Sequence, residues 1–451
     1  MIFGTDGVRG IPGEGLLSTD SIDRFALAIV SHLAREGCAH GRVLMARDTR
    51  LTGPEIESVI AGALRRSGCS TVHAGELPTP AVSVLLAQGS ADLGIVISAS
   101  HNPPEFNGIK LISSDGSKLT EDQERLISED HSRMVGSPSP LQEIDVDPAL
   151  GVEYLETLLK SFPPGQFLAG ISLVLDCACG AGCGWAPEAF RRAGAQVSVL
   201  HEQPDGARIN VGCGSLHPEI LGKEVLRTGA DLGIALDGDA DRALLVDEHG
   251  DLVDGDDVIV IWARALLDSG SLEPPVVALT MLSNVGIEEH LGRHGIEVIR
   301  TPVGDRAVAA ALRESGGLLG GEPSGHIIHS SEAATGDGIR TGLSIAHRIR
   351  ESGRSLADLR SGIVRFPQEQ RTLKILDRPE IEGLEFLSSA MEKARQALGD
   401  NGRILVRYSG TEPLLRILVE ARSAEDVRRW GDHIENSARM ESKLGVDPRG
   451  S

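Results

Sequence analysis

"ADLGIVISASHNP" (residues 91–103) and "ADLGIALDGDADR" (residues 230–242) begin alike although they lie far apart in the chain. Each is an apolar strand that runs straight into a loop dense in polar groups. "GGLLGGEPSGH" (316–326) follows the same grammar. The segments upstream match too. Early strands read "RVLMARDT", "ISLVLDCAC" and "PVVALTML", and middle strands read "STVHAGELPTP", "AQVSVLHEQPDG" and "IEVIRTPVGD". Short, uniformly apolar runs suit parallel strands buried on both faces. Helical stretches lie between them, such as "GPEIESVIAGALRRSG" (53–68), with Ile56, Ile60, Ala63 and Leu64 at helical spacing. Strand–helix–strand repetition implies right-handed βαβ units. The pattern predicts three similar α/β domains with mixed, mostly parallel sheets, over residues 1–150, 151–252 and 253–365.

After about residue 366 the pattern changes. "QRTLKIL", "GRILVRYSG" and "PLLRILVEA" read as antiparallel strands, and "SAEDVRRWGDHIENSARM" reads as a helix with Ser423 as its N-cap. This predicts a smaller C-terminal α+β domain over 366–451. In open α/β sheets, ligands bind beyond the carboxyl ends of the strands. All three polar loops fall there, so they are expected to converge on a central cleft.

The 451 residues exceed what one hydrophobic core usually serves, which agrees with three or four domains. The net charge of -21 argues against nucleic acid or an anionic membrane as partner. A small anionic substrate responds to its pocket instead, through a few converging Arg and Lys side chains. No signal-peptide hydrophobic region is expected, because the chain turns polar at Gly4. The most apolar stretch, "VIVIWARALL" (258–267), is too short to span a bilayer and carries Arg264. The spacing of "CACGAGC" (177–183) is not a standard zinc or iron–sulfur pattern, so reduced thiols in a cytoplasmic protein are the simpler reading.

In "DGDADR" (237–242), Asp237, Asp239 and Asp241 stand two residues apart in one tight loop. Carboxylates so crowded repel unless protonated or neutralised by a cation, and hard oxygen donors favour Mg²⁺ or Ca²⁺. Two chemistries then compete. Asp237 itself is a candidate phosphoryl carrier, as in aspartate-based phosphotransferases. Alternatively Ser100, between the small Ala99 and His101, carries the group; a phosphoserine is a strong anionic oxygen ligand. Lys110 would then stabilise developing charge or activate a hydroxyl, and His101 would relay a proton. In "GEPSGH" (321–326), Glu322 and Ser324 suit vicinal sugar hydroxyls, and His326 suits proton transfer. In "RYSGTEPLLR" (407–416), Arg407, Ser409, Gly410, Thr411 and Arg416 resemble a phosphate cradle. Arg9, in "GTDGVRG", adds a charge on another glycine-rich loop.

The order "SASHNP", "DGDADR", "GEPSGH", "RYSGTE" resembles that of the α-D-phosphohexomutases along essentially the whole chain. "FGTDGVRG", "TPVGDRAV" (301–308) and "ATGDGI" (334–339) are most similar to the phosphoglucosamine mutase branch. One departure is Pro323, where that branch usually carries glutamine. The resemblance implies a phosphoserine at Ser100 that completes a Mg²⁺ site with Asp237, Asp239 and Asp241. It implies transfer to a hexosamine phosphate through a 1,6-bisphosphate, with glucosamine 1,6-bisphosphate as activator. Lys110, His101 and His326 are the implied acid/base groups, with Arg9 and Arg242 near the phosphates. Glu322 and Ser324 are implied to read the sugar, and Arg407, Ser409, Gly410, Thr411 and Arg416 to hold the non-reacting phosphate. A monomer or homodimer is expected. The alternatives are the same chemistry on glucose or mannose phosphates, or a non-catalytic sugar-phosphate sensor.

Overall fold

A computed structural model describes residues 1–4, 6–141, 143–409 and 413–446. Its strands in chain order are β1 (Val8–Gly10), β2 (Arg42–Arg47), β3 (Ser70–Glu76), β4 (Leu93–Ile97) and β5 (Asn107–Ser113). The second set is β6 (Ser172–Asp176), β7 (Gln196–Leu200), β8 (Leu232–Leu236), β9 (Ala243–Asp247) and β10 (Leu252–Val253). The third is β11 (Val276–Thr280), β12 (Glu297–Thr301), β13 (Leu319–Gly321) and β14 (Ile327–His329). The last is β15 (Gln368–Lys374), β16 (Gly402–Tyr408) and β17 (Leu414–Ala421).

The three sheets repeat one plan. The orders β3-β2-β4-β5, β7-β6-β8-β9 and β12-β11-β13-β14 each join a parallel trio to one antiparallel strand. β1 and β10 extend the first two sheets as antiparallel edges. The polar loops are the turns into the antiparallel strand, so each sits at the carboxyl end of β4, β8 or β13. The expected mixed, mostly parallel sheets are present.

The repeated "ADLG" has a physical reason. Asp92 accepts the Arg42 N–H at 2.7 Å and Asp231 accepts the Ser172 N–H at 2.7 Å, each tying down the start of the neighbouring central strand. At Gly94 a Cβ would lie 2.5 Å from Leu86 Cδ1 and 2.7 Å from Val82 Cγ1. At Gly233 it would lie 2.7 Å from Leu221 Cγ and 2.8 Å from Val225 Cγ2. Both glycines let a covering helix lie directly on the strand. The predicted helix at 53–68 is Gly53–Arg66, and its Ile56, Ile60, Ala63 and Leu64 are all buried.

The chain divides into two compact units. The first holds residues 1–282 and 296–361, and the second holds residues 283–295 and those from 362 on. Within the second unit, β15 and β16 both pair antiparallel with β17. The predicted cap is present: Ser423 Oγ accepts the N–H groups of Glu425 and Asp426 at the start of the helix Ala424–Arg439. Leu387, Met391, Leu415, Ile417, Trp430 and Ile434 belong to its core. The helix Val285–Gly292 belongs here too, because Asn284 donates to the Phe366 carbonyl at 2.9 Å and accepts its N–H at 2.9 Å.

Candidate active site

Within the first unit the loops after β4, β8 and β13 meet. Ser100 is buried and left-handed, with φ of 50°, an uncommon conformation for a residue with a side chain. Its Oγ donates to Asp237 Oδ2 at 2.7 Å and lies 3.3 Å from His101 Nδ1. The strain is held in place on all sides. The Ser98 hydroxyl accepts the Ser100 N–H at 2.9 Å and donates to Asp48 at 2.6 Å. Arg50, fully buried and paired with Asp48 at 3.0 Å, donates to the carbonyls of Ser100, Asn102, Pro103 and Phe106. From the second repeat, Asn210 Nδ2 donates to the carbonyls of Ser100 at 2.8 Å and Asn102 at 3.1 Å.

Asp237, Asp239 and Asp241 are all buried, and each turns an oxygen to within 4.8 Å of the others. Burial, followed by Asp241 and Asp239, pushes the Asp237 carboxyl well above its ordinary range. Asp239 Oδ1 and Asp241 Oδ1 are buried and accept no hydrogen bond. Desolvated carboxylate oxygens without donors are costly unless a cation stands near. The triad therefore fits a hard divalent metal, as a set of oxygen donors should.

Lys110 Nζ lies 2.8 Å from Asp239, 3.3 Å from Asp241 and 2.8 Å from Asp6. Burial disfavours its charge, but Asp239, Asp6 and Asp241 outweigh that and hold it well above the usual lysine range. Asp6 also pairs with Lys118, which reaches Asp305. Asp305 lies 3.3 Å from His326 Nε2, which accepts the Gly336 N–H at 2.9 Å, and His326 Nδ1 lies 3.7 Å from Asp241. Lys110, Asp6, Lys118, Asp305, His326 and Asp241 thus close a ring drawn from all three repeats, whose charges alternate when His326 is protonated. His101 is different: burial, then Arg242 and Arg9, lower it to about 4. Arg9 donates to Asn102 Oδ1 at 2.8 Å and Asp6 at 3.0 Å. Arg242 Nε is 3.7 Å from Asp241 Oδ1.

The loop after β13 is seated on the second repeat. Gly325 has φ of 88°, and a Cβ there would lie 2.2 Å from the Ala243 carbonyl. Its own carbonyl accepts the Ala243 N–H at 3.1 Å. Glu322 Oε1 accepts the Gly304 N–H at 3.1 Å, and Ser324 Oγ lies 3.4 Å from Glu322 Oε2. In the second unit, Arg407 and Arg416 face each other across β16 and β17, and burial followed by Arg416 lowers the Arg407 pKa. The Ser409 N–H donates to the Leu414 carbonyl at 2.8 Å. Gly410 and Thr411 lie outside the described residues.

Sequence reasoning missed Asp6, Asp48, Arg50, Lys118, Asn210 and Asp305 as parts of this site. Three lay in quoted stretches, Asp6 in "FGTDGVRG", Asp48 in "RVLMARDT" and Asp305 in "TPVGDRAV", yet a lone aspartate carries no signal of the partner it meets.

Four family descriptions cover the chain in turn: phosphoglucomutase/phosphomannomutase alpha/beta/alpha domain I over residues 1–133, domain II over 152–250, domain III over 254–366 and the C-terminal domain over 364–437. The chain belongs to the phosphoglucomutase/phosphomannomutase family. Among curated members of this family, the phosphoglucosamine mutase of Saccharopolyspora erythraea is 41% identical, over 95% of this chain and 96% of that one. That of a Geobacter species is 37% identical, over 100% and 99%. A phosphoglucomutase/phosphomannomutase family protein of Burkholderia thailandensis has a solved structure with a TM-score of 0.80 and 24% identity, over 99% of this chain and 98% of that chain. At that identity the likeness shows the family fold alone.

Proposed function

We propose that the chain interconverts glucosamine 6-phosphate and glucosamine 1-phosphate through a phosphoserine at Ser100. The observation that carries this reading is the 2.7 Å contact between Ser100 Oγ and Asp237, inside the buried aspartate cluster. The curated relatives named phosphoglucosamine mutase support the choice of sugar.

In the forward step, the phosphoryl group on Ser100 passes to the free hydroxyl of the bound sugar, giving a 1,6-bisphosphate. The sugar turns over, and its other phosphoryl group returns to Ser100 Oγ. His101, lowered to about 4, is neutral near pH 7 and positioned 3.3 Å from Ser100 Oγ to take a proton. Lys110 stays protonated, so its role is charge stabilisation rather than proton abstraction. His326 is the candidate donor on the sugar side, and Glu322 and Ser324 read the hydroxyls. Arg9 and Arg242 steady the moving phosphoryl group. Arg407, Ser409, Gly410, Thr411 and Arg416 hold the phosphate that does not react. Asp237, Asp239 and Asp241 would hold one Mg²⁺, which when bound supplies charge neutralisation for the phosphoryl group.

Glucosamine 1,6-bisphosphate would keep Ser100 phosphorylated as activator. We further propose domains over 1–150, 151–252, 253–365 and 366–451, a monomer or homodimer, and a cytoplasmic location. Among the described residues, no helix is long and apolar enough to cross a membrane.

The test is a coupled assay on glucosamine 6-phosphate with Mg²⁺ and catalytic bisphosphate, Ser100→Ala beside the parent. The variant should fold and lose more than about a thousandfold in turnover. Undiminished turnover would transfer the carrier role to Asp237. Pro323 motivates a second reading, action on glucose or mannose phosphates, and relative turnover on the three 6-phosphosugars separates the two.

A further inference from the structure

Behind the aspartate loop, the second repeat gathers four thiols and a histidine that the phosphoryl chemistry does not use. Asp176 ends β6, His201 follows β7, and Cys213 lies on the return toward the helix Pro218–Thr228. A carboxylate oxygen of Asp176, a ring nitrogen of His201 and the Cys213 thiol all lie within 4.8 Å of one another. The Cys213 thiol donates to the Arg208 carbonyl at 3.7 Å. Asp176 and Cys213 are fully buried, whereas His201 is 22% exposed and leaves a way in from solvent. A pocket of about 300 Å³, lined by Cys183, Trp185, Glu202 and Pro204, opens beside it. All six cysteines are free.

We propose that Asp176, His201 and Cys213 form a second metal site, separate from the aspartate triad, for a thiophilic divalent ion of the zinc class. A thiol, an imidazole and a carboxylate make the mixed S, N, O set that zinc takes in sites whose fourth position is left to water, and that Mg²⁺ avoids. Without metal, His201 Nδ1 lies 3.0 Å from Asp176 Oδ1, and the Cys213 thiol is turned to the Arg208 carbonyl. On binding, the Cys213 thiol gives its proton to solvent. His201 remains neutral, with its proton on the nitrogen turned away from the ion.

The site would act as a clamp on the active centre. Cys179 N–H donates to the His201 carbonyl at 3.1 Å, and Asn210 N–H donates to the Ala178 carbonyl at 3.1 Å. Asn210 is the residue that braces the Ser100 loop from the second repeat. Ala178, Cys179, His201 and Asn210 all have left-handed backbone, a concentration of strain that a metal would hold fixed.

Titration of the reduced full-length chain with Co²⁺ tests this directly. The expected result is one tightly bound equivalent with a thiolate-to-metal charge-transfer band that Zn²⁺ removes by displacement. The band should persist in Asp237→Asn. It should vanish in Cys213→Ser, and apparent affinity should fall by about tenfold or more in His201→Ala. His201 is partly exposed, so that variant should keep the parent's circular dichroism and report binding rather than folding. Absence of the band in the reduced parent, or its survival in Cys213→Ser, overturns the proposal. Because the readout is optical, it stands or falls apart from the mutase reading.

Discussion

Arg50 shows what one side chain can be asked to do. It is fully buried, its charge is matched by an equally buried Asp48, and its fork fastens four carbonyls around Ser100. Arg50→Ala would strand the Asp48 charge, a change that costs about 3–5 kcal/mol when one partner of a buried pair is removed. Urea unfolding should show that loss. Arg50→Lys should recover part of the stability and little of the turnover, because lysine lacks the planar fork. His326 gives a pH signature in the metal-free protein. Burial opposes its charge, but Asp241 and Asp305 raise its pKa above 6.5. Its contribution to stability is therefore complete below about pH 6.5 and is lost as pH rises through the higher folded-state value. Urea unfolding of the parent should weaken from mildly acidic to alkaline pH more than that of His326→Gln. Residue by residue, the sequence disclosed the groups that stand in dense polar loops, such as Ser100 and the three aspartates. It could not disclose Arg50 or Lys118, whose meaning lies wholly in partners distant along the chain.

At the scale of elements, the loops after β4 and β8 touch through glycine. A Cβ on Gly238 would lie 2.6 Å from the Ser100 carbonyl and 2.9 Å from Asn210 Nδ2. Gly238→Ala must then push the serine loop off its brace. The overpacking should cost about 1–3 kcal/mol, and a displacement near 1 Å at the reacting oxygen should cost about a hundredfold in kcat. A variant with parent turnover would show that the brace is slack. Strand runs and loop positions were legible because parallel strands buried on both faces leave a uniform apolar signature. The repeated "ADLG" was visible as a repeat, but its cause was not. The cap that Asp92 and Asp231 provide, and the helix seat at Gly94 and Gly233, require the neighbouring strand and helix to be in place. That β5, β9 and β14 are the strands that turn antiparallel was equally hidden, since direction leaves no mark in a short strand.

Across the whole molecule, the chain passes between its two compact units three times, near residues 282, 295 and 361. Turnover of the bound sugar is expected to involve motion of the unit built on β15–β17. Small-angle scattering should show a smaller radius of gyration with saturating bisphosphate than without, and an unchanged value would count against such motion.

The ring formed by Lys110, Asp6, Lys118, Asp305, His326 and Asp241 carries a different lesson. Its signs alternate around a closed circuit when His326 is protonated, so deleting Asp6 leaves two lysines, and deleting Lys118 two aspartates, without the group between them. Asp6→Asn with Lys118→Met should therefore be less harmful together than the sum of the two alone, as a double-mutant cycle would measure. Over evolutionary time such a circuit should drift only by compensating exchanges. Its positions would then change as pairs among relatives, or stay as they are.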